Sequence, residues 1–319
     1  MKNRFFGATL AAWGLVATVQ NLSAQVIPGI ETKAGGMVVP QGKLVMGLKH
    51  IYFKRDSMFD GTHEVTNMEH LDATANVTLL ALRYGIAKDT DLRLVIPYKQ
   101  IRATAQLGPN DVAIDNAGIG DVIVMGKYRF YNDHGYQLAV GAGVKLPTGS
   151  TSKGFKKAPP FARGVNTPLP TQPGTGKAEY KLEFGASKIF DPMLRADLHA
   201  MYTYRPKAEH DYDFGNEFLF DVGVVKGITD TFNIGLEYNF KYNSSTDMGN
   251  DTNPMLRSKL PFKAFSGSAG YITPEIQYLP FGKPKLFFGA GVSFLVHKNL
   301  KEYQPLEKRR FLFRVGYMF

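Results

Sequence analysis

The sequence predicts an all-β fold: a transmembrane, antiparallel, up-and-down β-barrel of about 12 strands, with long outer loops and short periplasmic turns. Three observations carry this. Apolar and polar residues alternate with a period of two along most of the chain, the segments so marked number twelve, and the connections between them are alternately short and long.

Residues 232–243, FNIGLEYNFKYN, show the alternation at its cleanest. Phe232, Ile234, Leu236, Tyr238, Phe240 and Tyr242 interleave with Asn233, Gly235, Glu237, Asn239, Lys241 and Asn243. A helix, at roughly 100° per residue, would scatter the six apolar groups around its axis. A strand puts all six on one face.

In chain order the predicted strands run about 43–54, 74–86, 91–102, 120–131, 136–147, 178–190, 193–205, 216–227, 231–243, 266–280, 285–297 and 309–319. The first is weak because both parities carry apolar residues. In the third and tenth, Pro97 and Pro274 interrupt the run, and proline cannot donate to a sheet ladder. The fourth alternates through Val122, Val124, Tyr128 and Phe130, and the fifth through Leu138, Val140, Val144 and Leu146. The seventh does so through Leu194, Ala196, Leu198, Ala200, Tyr202 and Tyr204, and the eighth through Phe218, Phe220, Val222 and Val224. The last, FLFRVGYMF, keeps Phe311, Phe313, Val315, Tyr317 and Phe319 on one face, so it reads as a closing strand. It would pair with strands one and eleven and abolish the free edge that a sheet in lipid cannot tolerate.

The joins AKDT, NDHG, DP, ITD and FGKP are built from turn residues. The joins at about 55–73, 103–119, 148–177, 206–215, 244–265 and 298–308 are longer and belong to the outer side. Residues 148–177 either fold inward over the lumen or stand out as a surface loop. Aromatics near segment ends, such as Tyr84, Tyr98, Tyr202, Tyr204, Tyr242 and Phe190, suit interfacial girdles. Lys188 and Lys226, on the apolar parity, lie just before short turns where a lysine reaches the interface.

Before the barrel, residues 1–24 have a basic start, an apolar run from Phe5 to Val19 and Leu22-Ser23-Ala24 as a cleavage site. This is the layout of a signal peptide, so export is expected, and the barrel pattern then places the chain in the outer membrane of a Gram-negative-type bacterium. Residues 25–41 are then expected as a short periplasmic segment, and 42–319 as the barrel. Loss of Lys2 and Arg4 lowers the net charge from +10 to +8. The charge is spread along the chain, so a nucleic-acid partner is not expected. With no Cys there is no disulfide, thiolate metal site or Cys nucleophile.

If the apolar parity meets lipid, the other parity lines the lumen. That places inside Arg93, Lys99, Asp121, Lys127, Arg129, Lys145, Lys181, Glu183, Arg195, Asp197, His199, Glu217, Asp221, Glu237, Lys241 and Arg314, together with Arg83, Arg205, Glu275 and Arg310. Most of these charges are expected to pair across neighbouring strands; the alternative reading is that some of the positive excess attracts anionic solutes. Twelve strands leave a narrow lumen.

Little else points to chemistry. GTGKAEY at 174–180 lacks the first Gly and the Ser or Thr of a phosphate loop. Ser293 and His297 share a parity but lie about 13 Å apart along a strand. His199, with Asp197 and Arg195, reads as charge pairing rather than a catalytic set. No metal site and no cofactor are expected. The loop residues Lys153, Lys156, Lys157, Arg257, Lys259 and Lys263 either meet lipopolysaccharide phosphates or are simply solvated.

The run GIGDVIVMGKYRFYNDHGYQLAVGAGVKLPTG resembles the centre of a family of outer-membrane transporters named after the meta-cleavage pathway of phenol degradation. Gly118-Ile119-Gly120-Asp121, Gly126-Lys127-Tyr128 and Lys145-Leu146-Pro147-Thr148-Gly149 carry the likeness. PQGKLVMGLKHIYFK and GTGKAEYKLEFGASK extend it. The resemblance implies uptake of hydrophobic or aromatic compounds.

The expected function is therefore passive passage of a small solute through an outer-membrane channel. A structural or surface-interaction barrel without transport is the alternative, and an outer-membrane enzyme the third. Tyr317 and the terminal Phe319 also resemble the signal that hands outer-membrane proteins to the barrel-assembly machinery.

Overall fold

The computed structural model describes residues 26–247 and 266–319. The expected signal peptide over 1–24 and the loop residues Arg257, Lys259 and Lys263 lie outside the described residues.

Twelve antiparallel strands close into a barrel. In chain order they are β1 (Leu44–Arg55), β4 (Asp72–Ala87), β5 (Thr90–Leu107), β7 (Ile123–Asp133), β8 (Tyr136–Lys145), β9 (Glu179–Asp191), β10 (Leu194–Tyr204), β11 (Glu217–Gly227), β12 (Phe232–Asn243), β13 (Ser266–Tyr278), β14 (Leu286–Leu306) and β15 (Arg309–Met318). Each pairs with the next, and β15 returns to β1 in register from Val45↔Met318 to Phe53↔Arg310. The Phe319 amide donates to the Leu44 carbonyl at 2.9 Å, so pairing runs to the last residue. The closing strand read from FLFRVGYMF is where it was expected.

The outer face is apolar because the alternating residues point away from the lumen. Leu236, Ile276 and Phe313 are each more than half exposed, and Tyr98, Tyr180, Tyr204 and Tyr278 ring the ends of the band. In water such a surface would be a large liability, whereas in lipid it is the expected exterior. Lys188 bends back to the short turn, donating to the His134 carbonyl at 2.8 Å with its ammonium 3.6 Å from the Tyr136 ring. That turn needs both His134 and Gly135 at positive φ, the geometry a two-residue hairpin demands.

Three further strands stand on the outer side. β5 runs past the ring and pairs with β6 (Asn110–Ile119) as a hairpin, while β2 (Ser57–Gly61) and β3 (His63–Val65) add to the extended end of β14. The joins expected at 55–73, 103–119 and 298–308 thus contain ordered sheet. Pro97 falls where β5 changes partner, from β7 over Thr90–Val95 to β6 from Tyr98 onward. A residue with no N–H fits that gap. Pro274 sits at a break in the β13–β14 ladder, between the pairs Ile272↔Phe294 and Glu275↔Gly291.

The N-terminal stretch corrects the reading of residues 25–41 as a periplasmic segment. Residues 26–39 lie inside the ring, with Val26, Ile27, Ile30, Thr32, Val38 and Val39 almost fully buried. The reason is local: the segment is small enough to enter. A methyl group at Gly185 on the barrel wall would overlap the Gly35 carbonyl, so the approach requires glycine at that contact.

Candidate functional site

The lumen has two unlike walls. Along β1, β4 and β5 the inward residues are apolar over the outer half. The register sets Ile51 beside Val77, Ala75 between Phe53 and Ile101, and Ala73 beside Ala103. This explains why both parities of β1 read as apolar: one meets lipid and the other is the apolar wall. From β7 to β12 the inward side carries the charged residues, with a few apolar ones such as Met125, Ile189, Met201 and Val225 among them.

The inward charges pair across more distant strands as well as adjacent ones. Glu183 on β9 accepts from both terminal nitrogens of Arg93 on β5 at 3.3 Å, and Lys127 on β7 approaches to 3.8 Å. Arg195 holds Asp197 at 2.5 Å and the Ser187 hydroxyl at 3.1 Å. His199 turns away from that pair to neighbouring strands, with Nδ1 3.1 Å from Asp221 and Nε2 3.4 Å from Glu183. The Arg195, Asp197 and His199 trio is thus divided between two clusters, and both ring nitrogens of His199 face carboxylates. Asp221 also accepts from Asn239 at 3.1 Å.

Nearer the outer mouth, Lys145 donates to Asp121 and Glu179 at 2.8 and 2.6 Å. Glu217 accepts from Arg205 and Lys241 at 2.9 and 2.8 Å. Lys181 donates to the Thr203 hydroxyl, while Lys99 makes no hydrogen bond or ion pair among the described residues. At the short-turn end, Arg129 pairs with Asp89 at 2.6 Å.

The remaining predicted lumenal residues, Glu237 and Arg314, bind the N-terminal segment. Glu237 accepts from the amides of Glu31 and Thr32 at 2.8 and 3.2 Å. Glu275 accepts from Ile30 at 3.0 Å, and Arg314 donates to the carbonyls of Pro28 and Gly29 at 2.6 and 3.1 Å. Lys49 reaches the Ile30 carbonyl and the Glu31 carboxylate at 3.0 and 2.7 Å. Lower down, Lys127 donates to the Gly35 carbonyl, Ser187 accepts from Gly36 and Asp91 accepts from Val39. The segment is held through its main chain, by side chains from most of the ring. Sequence reasoning missed Lys49, Asp91 and the segment itself. The available signal was an apolar, Gly-containing stretch, VIPGIETKAGGMVV, with no periodicity of its own.

Above these contacts lies a cavity of about 560 Å³. One side is the apolar wall of Phe53, Ala73, Ala75, Val77, Ile101 and Ala103; the floor is cationic. The join at 148–177 folds inward and contributes Phe155, Pro168 and Pro170. It is tied down where Asn116 donates to Thr167 at 2.6 Å, and where Thr175 donates to Asp121 at 2.9 Å. Leu107, Val112, Phe155, Phe161 and Ala162 pack together beside it. Of the loop lysines, Lys157 donates to Asp111 at 2.9 Å, and that contact holds the Asp111 carboxyl below the usual carboxylate range.

Residues 59–299 match the family described as "Putative MetA-pathway of phenol degradation". The chain belongs to this family. The resemblance carried by Gly118–Asp121, Gly126–Tyr128 and Lys145–Gly149 therefore holds, and the family's match begins in β2 and ends in β14. No curated protein matches the sequence. Among solved structures, an outer membrane channel from Pseudomonas putida F1 is similar with a TM-score of 0.66 at 13% identity, covering 92% of this chain and 100% of that one. The likeness is one of fold. The transport unit of the autotransporter AIDA-I from Escherichia coli gives 0.48 at 11% identity, covering 93% and 94%. A Pseudomonas aeruginosa FadL homologue gives 0.47 at 10%, covering 89% and 95%. At these last two values only a general likeness between barrels remains.

Proposed function

We propose that this member of the phenol-degradation family is a passive outer-membrane channel for small apolar or aromatic solutes that enter at the outer mouth. The observation that carries the reading is the 560 Å³ cavity with one apolar wall, opening above a charged lumen. Its size and its mix of apolar lining with a few polar groups are those of small-molecule sites. A porin for hydrophilic solutes has no use for Phe53, Val77 and Ile101 on its inner face. The family's name and the channel from Pseudomonas putida F1 are in keeping with this.

A second reading, a sealed barrel with a structural or surface role, is favoured by one observation: residues 26–39 fill the inner half of the lumen. Flux separates the two. The protein, refolded into liposomes, is expected to pass aromatic acids faster than protein-free liposomes do, and faster than it passes disaccharides. Absence of flux for every solute in the panel would leave the sealed barrel.

A further inference from the structure

The outer cavity is lined by more cations than carboxylates, and two of those cations stand without a carboxylate within 4 Å among the described residues. Seven cationic residues line it. Five have carboxylate partners: Lys145 with Asp121 and Glu179, Arg205 and Lys241 with Glu217, Arg55 and Arg310 with Glu307 at 2.7 and 2.5 Å. The other two do not. Lys99 makes no hydrogen bond or ion pair among the described residues. Lys181, only 6% exposed, has the Thr203 hydroxyl at 3.0 Å and no carboxylate within 4 Å among them.

An ammonium taken out of bulk water without a counter-charge is costly, and proteins pair such groups. Two ammonium groups in one cavity with no carboxylate within 4 Å among the described residues point to a matching charge supplied by a ligand. The surroundings of Lys99 say what else the ligand contains. Lys99 lies beside Val77 in the β4–β5 register, and the next inward pairs toward the mouth are Ala75↔Ile101 and Ala73↔Ala103. From Lys99 to Ala103 the strand rises about 13 Å, and every inward side chain on that path is apolar.

We infer that this cavity is a binding site for an amphipathic monoanion, an aromatic or aliphatic carboxylate, with its charged head at Lys99 and Lys181 and its apolar body along the Val77, Ile101 and Ala103 wall. This deepens the channel reading, and its place in uptake rests on that reading. A neutral hydrocarbon would leave both lysines unpaired, and an amine would add a further positive charge.

The test uses 4-phenylbutyrate, 4-phenylbutanol and 4-phenylbutylamine, which share one body and differ in head group. Calorimetric titration into the full barrel in uncharged micelles, against empty micelles, is expected to show the acid binding about tenfold or more tighter than the alcohol, as a charge-assisted contact implies. The amine should bind no better than the alcohol. Lys99→Gln should lose that advantage for the acid and leave the alcohol unchanged. Lys181→Gln provides the same comparison should Lys99→Gln fail to fold, as read by strand circular dichroism. Equal binding of acid and alcohol, or unchanged acid binding in both variants, would overturn the site. Flux is measured separately. Selective binding without any flux would leave the site standing and remove the channel, while flux without head-group selectivity would do the reverse.

Discussion

Glu183 has no exposed side-chain surface, and it gathers Arg93, Lys127 and His199 from three other strands. Taking away one member of a buried set leaves the others charged and unmatched, and the usual cost is about 3–5 kcal/mol. Glu183→Gln keeps the shape and removes the charge. It is expected to lower stability by about 3 kcal/mol in a urea titration of the refolded barrel. Glu64→Gln, at the half-exposed Lys308 pair, should produce no measurable change. An equal response from both would mean that the lumenal network contributes nothing beyond a surface pair. Alternation is enough to point Glu183, Arg93 and Lys127 inward. It does not say that β9 meets β5 across the lumen, because that depends on the stagger of the ring, which no local pattern encodes. Lys99 shows the same limit: its sequence neighbours are ordinary, and that it makes no ion pair among the described residues is a property of all the strands around it.

At the level of elements, the N-terminal segment is the part whose place the alternation did not reveal. Membrane strands announce themselves because one face meets lipid and the other does not. Residues 26–39 meet neither lipid nor bulk water, so no period marks them. Their bonds are made by main-chain amides and carbonyls, which every residue carries. The hairpins β2–β3 and β5–β6 were hidden for a related reason: they rise on the outer side, where the lipid contrast is absent. What binds the segment also defines its test. Glu237, Glu275, Arg314 and Lys49 belong to the ring, and their strands pair with one another rather than with the segment. Deleting residues 27–36 should therefore leave strand content unchanged and raise single-channel conductance several-fold. A deletion that folds and conducts no more than the native protein would show that the constriction lies elsewhere, in the charged lumen or under the 148–177 cover.

The whole molecule is inside out relative to a soluble sheet protein, and one position exposes the difference. Leu236 is 57% exposed, faces outward and sits near the middle of β12, between the outward neighbours Ile234 and Tyr238. Across the ladders it stands opposite Val224 and Pro274. On the surface of a protein in water, an arginine there would be nearly neutral, since substitutions at exposed sites usually shift stability by no more than about 0.5 kcal/mol. At the midplane of a bilayer, an arginine on the lipid face costs about 2–4 kcal/mol, falling toward zero at the interfaces. Leu236→Arg should thus lower the folding free energy in phospholipid vesicles by about 2–4 kcal/mol. The same change at Phe232, next to the short turn and against the Tyr278 ring at 4.9 Å, should lose mainly the aromatic contact. A depth-dependent pair of values is what an apolar band of bilayer thickness requires. Two small and equal values would mean that water, not lipid, covers the outer face, and the twelve-strand ring would then enclose its charges for some purpose other than crossing a membrane.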